Sequence, residues 1–368
     1  MQPTNSEFQT KIFILRVLLD KHSVDAVLLR RVSSFAWATR GAASYVNIAT
    51  TEGATSLLIT REHLYLVTNN IEAPRLEQEE KLVDQGWEFQ VSPWETPQQA
   101  LMNLTSGISL ASDVAFPGSK DISIEIAHLR ARLTLEEGER LRELGHLCAE
   151  TISAAAQLIR PGLSEYQLAA LLGGQAQQRG IQPIVNLIAT DERIYRFRHP
   201  LPTGKTLDKY AMLVLSGRRR GLVCSITRLV HFGPLPDDLR ERIIATAQVN
   251  ATLIANSRPG QRLGDVLAQG QQAYARVGFP DEWRRHHQGG VAGYEPREYL
   301  ATQTSPDVIA QDQALEWNPS IAGAKMEDTI LVGTQSNEIL TRTQLWPEMH
   351  IQTPGQPNKV PCALALEF

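Results

Sequence analysis

The residues best suited to chemistry lie in WRRHHQGGVAGYEPREY, from Trp283 to Tyr299: adjacent histidines His286 and His287, glycines at 289, 290 and 293, and the Arg297–Glu298 pair. Imidazole moves protons near neutral pH, and glycine backbone has no side chain to keep a small molecule away. The stretch reads as a candidate binding loop; a Gly-rich turn with solvated histidines is the plainer alternative. His199, in RIYRFRHP, is a candidate general acid and base, or else a solvated loop residue. Arg297 offers a planar fork suited to a ligand carboxylate, or a surface partner for Glu298. Glu327, in KMEDTILV, either supports a strand or lies in a cleft. There it needs a cation from a ligand or from Lys325, because an unpaired buried carboxylate is costly or takes up a proton. Together these side chains describe a site for a small zwitterionic or amino-acid-like molecule, and His199 suits hydrolysis of a C–N bond in an amidine or guanidine. Cys224, beside Ser225, reads as a small buried hydrophobe rather than a nucleophile.

The elements that must position these residues follow from length and pattern. At 368 residues the chain is long enough for about two domains, and 42% hydrophobic with 21% charged residues suits a globular protein. The net charge of −4 and the scatter of Arg and Lys leave no basic face for nucleic acid; Arg218 to Arg220 reads as a hairpin tip. Three cysteines without metal-type spacing suit a reducing cytosol. MQPTNSEFQT has no apolar signal region and no run reaches membrane-spanning length, so a cytoplasmic protein with no membrane partner is expected.

From the N-terminus, the periodicity predicts a helix from Phe8 to Lys21. Strands follow at Asp25 onward, Tyr45–Ile48, Ser56–Ile59 and Leu64–Val67, then a helix from Asn70 to Leu82. This is a small α/β domain over residues 1–128, with the remainder, 129–368, forming a second. Thr134 and Glu137 form a capping box for a helix running to Leu158 and stopped by Arg160-Pro161-Gly162; Ser164 and Gln167 open another that closes at Gly180. The same grammar returns as a helix from Asp237 to Asn256, Arg258-Pro259-Gly260, and a helix from Leu263 to Gly278, an offset of 98 residues for both landmarks. That repeat predicts an internally duplicated domain about a pseudo-twofold axis. Strands are expected at Ala211–Leu215, Leu222–Phe232, Asp312–Trp317, Glu327–Val332, Glu338–Leu340 and Cys362–Leu366, giving helices over a mostly antiparallel curved sheet.

The ordered segments RFRHPLPT, GLVCSITR, HHQGGVAG, EWNPSI and KMEDTILV, with WATRGAASY near the start, resemble the pita-bread family of aminopeptidase P, prolidase and creatinase. The resemblance implies an N-terminal creatinase-like α/β domain followed by a C-terminal pita-bread domain of α+β type. Metal-dependent members hold two divalent cations with Asp, Asp, His, Glu and Glu. Aligned on glycines and on the TR and EDT anchors, those positions here are Val214, Ser225, Gly290, Asn318 and Glu327, so four lack their donor, and no metal or other cofactor is expected. The creatinase branch works without metal, and the resemblance implies its histidine, arginine and late glutamate at His199, Arg297 and Glu327. The further acid of that branch is replaced by Ser225, which argues against creatine itself. His286, His287, Tyr294, Glu298, Asn318 and Ser225 are candidate substrate contacts. Trp37 and Arg40 occupy the place from which the family's partner subunit reaches the neighbouring cleft of a homodimer. The expected function is a metal-independent, creatinase-like hydrolase with His199 as acid and base and Arg297 plus Glu327 as substrate clamp. The alternatives are a catalytically silent binding protein and an Xaa-Pro peptidase.

Overall fold

The computed structural model describes residues 6–368, so Met1 to Asn5 of the N-terminal stretch considered above lie outside it. The chain divides into one unit of residues 1–130 with 220–222, and a second of 131–219 with 223–368.

The first unit is a six-stranded mixed sheet in the order Glu88–Ser92, Leu64–Asn69, Glu52–Ile59, Ala26–Arg31, Leu110–Ser112, Ser119–Asp121. Ala26, Leu28, Leu58 and Val67 bury their side chains in a cluster with Leu101 and Leu110. The expected strand at Tyr45–Ile48 is instead an irregular turn without a ladder partner. A helix at Val32–Ala38, not anticipated, is buried along its whole length.

In the second unit the capping boxes form as expected. Thr134 Oγ1 accepts from Glu137 N at 3.2 Å while Glu137 Oε2 accepts from Thr134 N at 2.7 Å, opening the Leu135–Leu158 helix. Ser164 and Gln167 do the same for Glu165–Gln178. Helices Asp237–Asn256 and Leu263–Arg276 form the second pair. The duplication extends to hydrogen bonds. Ile181 N donates to Ala176 O at 3.0 Å and Phe279 N to Tyr274 O at 2.9 Å, donors and acceptors both 98 residues apart, and Gly180 and Gly278 both have positive φ.

The strands form two main sheets rather than one. Four strands run in the order Ala365–Glu367, Leu222–His231, Tyr210–Arg219, Gln182–Thr190; five run Tyr299–Leu300, Gly289–Ala292, Ala314–Trp317, Asp328–Leu331, Glu338–Ile339. Between the sheets, Thr227 N donates to Glu327 O at 3.1 Å and Val223 N to Gly293 O at 2.8 Å. The strand Gln182–Thr190 escaped the sequence reading and brings Val185 and Leu187 to the site. No helix of the described residues is long and apolar enough to cross a membrane.

Candidate active site

A cavity of about 120 Å³ opens in the second unit, with His199, Ser225, His287, Arg297, Asn318, Lys325 and Glu327 among its walls. Alternation along the chain puts Lys325 and Glu327 there together, because residues two apart in extended backbone share a face, and Asn318 stands two residues on from Glu316.

The polar centre is a cluster of two buried carboxylates and two cations. Arg297 Nη1 donates to Glu316 and its Nη2 to Glu327 Oε1 at 3.2 Å. Lys325 Nζ lies 3.2 Å from Glu327 Oε2, which also accepts from Thr227 Oγ1 at 2.7 Å, and Asn318 Nδ2 donates to Glu327 Oε1 at 3.4 Å. Burial pushes the Glu327 carboxyl up, but Lys325 and Arg297 outweigh it and hold it down at about 2. Burial dominates at Glu316, where Arg297 opposes and the charge of Glu327 adds, leaving that carboxyl raised to about 7. The cluster thus joins one carboxylate held ionised and one carboxyl that titrates near neutrality to the side chains of Arg297 and Lys325.

His199 sits on the loop after the short helix Glu192–Arg196. Burial, then the charge of Lys325, lowers its pKa, which keeps the imidazole neutral near pH 7. Its Nε2 lies 2.9 Å from His286 Nε2. The loop is anchored by buried Glu165, whose Oε1 accepts from Thr190 N at 2.9 Å and whose Oε2 accepts from Thr203 N at 2.9 Å and from Arg193.

His199, His287, Arg297, Glu327, Asn318 and Ser225 therefore come together at one cavity, with His286 against His199. The guanidinium of Arg297, expected as an open fork for a ligand, is committed to Glu316 and Glu327. Tyr294 instead donates its hydroxyl to Glu137 at 2.6 Å, and Glu298 accepts from the backbone of Tyr294 and Glu295 at 2.9 and 3.2 Å, so both shape the turn. In the first unit the Trp37 ring is buried, with its carbonyl accepting from Lys11 Nζ at 2.9 Å, and Arg40 Nε lies 3.6 Å from Glu7. Cys224 is buried and its thiol is pushed well up by burial, which leaves no ready thiolate.

Gly290 is a strand residue whose Cβ would meet Tyr299 O at 2.3 Å, and Gly289, at φ +115°, lies against Glu316 O; the imidazoles at the cavity are those of His199 and His287. These two glycines permit the close strand approach. Glu316 was missed altogether, although its i, i+2 relation to Asn318 was available.

The sequence profile of metallopeptidase family M24 matches residues 139–334, more than half of the chain, and the protein belongs to that family. Over 234 residues the chain is 22% identical to an uncharacterized peptidase of Staphylococcus aureus (strain MW2), a match covering 60% of this chain and 65% of that protein. It is 25% identical over 229 residues to the agropine synthesis cyclase of Rhizobium rhizogenes, covering 55% of this chain and 57% of the cyclase. The chain thus spans less than two thirds of the length of either relative. The fold superposes on the prolidase from Pyrococcus horikoshii OT3 with a TM-score of 0.78 at 19% identity, covering 91% of this chain and 99% of the prolidase. This is the two-domain pita-bread fold.

The donor set does not fit the dinuclear metal centre implied by the family name. Of the five positions only Glu327 carries a strong donor, since Gly290 has no side chain. Val214 has none, the Ser225 hydroxyl is paired with Ser216 at 2.7 Å, and Asn318 supplies a neutral amide. Both oxygens of Glu327 already face side-chain cations. Divalent ions need several anionic or imidazole donors to replace their hydration shell.

Proposed function

We propose that the protein is a metal-independent hydrolase acting in the cytoplasm on a C–N bond of a small amino-acid-like or guanidino substrate. The observation that carries this reading is the Arg297 and Lys325 pair on Glu327: two fixed cations in place of mobile ones, beside a neutral imidazole. Lys325 has three donors and one carboxylate partner, which leaves it able to receive a substrate carboxylate. This role was expected of Arg297. His199 takes a proton from water as that water attacks the substrate carbon, then returns it to the departing nitrogen. Such a positioned group contributes on the order of a hundredfold to ten-thousandfold. His286 steadies the ring through the contact between their Nε2 atoms. A relative named as a cyclase supports small-molecule chemistry other than peptide cleavage on this scaffold.

The commitment of Arg297 to two internal carboxylates favours a second reading, a cleft that binds a small ligand without turning it over. Chelator-treated full-length protein screened against guanidino and N-substituted amino acids separates the two. Turnover lost in His199→Ala supports the hydrolase. Binding without turnover, indifferent to that change, supports the silent protein, and activity that returns only with stoichiometric added metal overturns the metal-independent reading.

A further inference from the structure

We propose that His199, His286 and His287 form a mononuclear site for a late first-row transition-metal dication, a site distinct in its donors from the carboxylate-rich centre of the family. Each side chain offers one nitrogen, and the three nitrogens lie within 4.8 Å of one another. All three ring pairs are in contact, with centroids 4.7 Å apart for His199 and His286, 5.5 Å for His199 and His287, and 4.4 Å for His286 and His287. A tetrahedral zinc ion with Zn–N bonds of about 2.0–2.1 Å holds its ligand nitrogens roughly 3.3 Å apart. The His199–His286 pair at 2.9 Å must open by a few tenths of an ångström, and a pair at the 4.8 Å limit would close by about 1.5 Å. Both movements fall on loops: His286 and His287 follow the turn Glu282–Arg285, and His199 follows the helix Glu192–Arg196.

A second observation points the same way. The Nδ1 atoms of His286 and His287 are buried and have no hydrogen-bond partner. An imidazole with little solvent contact ordinarily has both nitrogens satisfied, so the open Nδ1 of His287 is a position where an ion, a water or a ligand belongs, while His286 turns its Nε2 to His199. Three imidazoles with no carboxylate among them select Zn²⁺, Cu²⁺, Ni²⁺ or Co²⁺ over Mg²⁺, Ca²⁺ or Mn²⁺. Lys325 and Arg297, the cations that would repel such an ion, are each paired with carboxylate, Lys325 with Glu327 and Arg297 with Glu316 and Glu327. His199 is exposed, so a fourth position is open to water or to a small ligand. The proposal does not depend on turnover, but an ion bound there would take the lone pair that the proposed hydrolysis needs on His199.

The test is titration of chelator-stripped, full-length protein with Co²⁺, followed by its visible absorption, and with Zn²⁺ in competition with a chromophoric chelator. One ion per chain is expected. His286→Ala and His287→Ala should each weaken binding at least tenfold, while His146→Ala, on an exposed helix face, should leave it unchanged. Thermal unfolding of each variant verifies that it is folded. Absence of stoichiometric binding, or binding that survives both histidine changes, overturns the proposal and leaves the metal-independent hydrolase standing. Binding lost in Glu327→Gln but retained in the histidine variants places the ion on the carboxylate instead, and overturns both.

Discussion

Lys325 Nζ lies 3.2 Å from Glu327 Oε2, and both side chains are buried. An uncompensated charge is costly there, and Lys325 together with Arg297 keeps Glu327 ionised. Lys325→Met keeps the length of the side chain and removes its charge. It is expected to lower stability by about 3–5 kcal/mol, since breaking a buried pair leaves an uncompensated ion. Urea denaturation measures this, and an unchanged midpoint would show that Arg297 and Thr227 satisfy Glu327 by themselves.

The two carboxylates of the cluster predict opposite pH dependences. Glu327 is held below its ordinary 4.5, at about 2, so its stabilisation is complete above 4.5 and is lost as pH falls from there through about 2. Glu316 is raised from 4.5 to about 7, so the folded state binds the extra proton between those values and stability declines as pH rises through that window. Denaturation midpoints against pH should show the acid limb flattened in Glu327→Gln and the neutral limb flattened in Glu316→Gln. The reverse assignment would contradict the geometry.

Glu165 acts on His199 from a distance. It accepts from Thr190, Arg193 and Thr203, which bracket the histidine loop, and Glu165→Ala leaves those donors and the Arg193 charge without their partner. A loss of about 3–5 kcal/mol is expected for removing one partner of a buried pair. Faster tryptic cleavage after Arg196 or Arg198 should accompany it. Stability lost without faster cleavage would mean that Glu165 supports the core and not the loop.

Gly289→Ala tests the close strand approach. A Cβ there would stand 1.9 Å from Glu316 O at a backbone angle of φ +115°. Overpacking costs roughly 1–3 kcal/mol and the positive φ adds to it, so expression as folded protein should fall sharply. A variant with wild-type melting behaviour would refute the packing.

Helix pairs were readable because their ends are written locally, in Thr134 with Glu137 and in Ser164 with Gln167. The duplication was readable because its landmarks keep one register. The strand Gln182–Thr190 was not, since Pro183 and the bulge between Pro183 and Val185 disturb the alternation that marks a strand. At the site, residue types announced His199, Arg297 and Glu327. Which group each one faces is a tertiary matter, and Arg297 met Glu316 rather than solvent. His286 and His287 were readable as candidates, but glycines that let two strands approach look, in sequence, like glycines that admit a ligand.

The internal repeat places Glu165 and Leu263 in equivalent seats, 98 residues apart and both buried. One copy fills that seat with a group that acid can discharge, the other with an oily plug indifferent to it. Burial alone would raise the Glu165 carboxyl, yet Arg193, Thr203 and Thr190 keep it below the ordinary carboxylate value, so its grip fails only as pH falls through that depressed value. Twin halves that descend from one pattern should therefore come apart in sequence under acid, with the half that holds Glu165 and His199 relaxing first while its sibling stays packed.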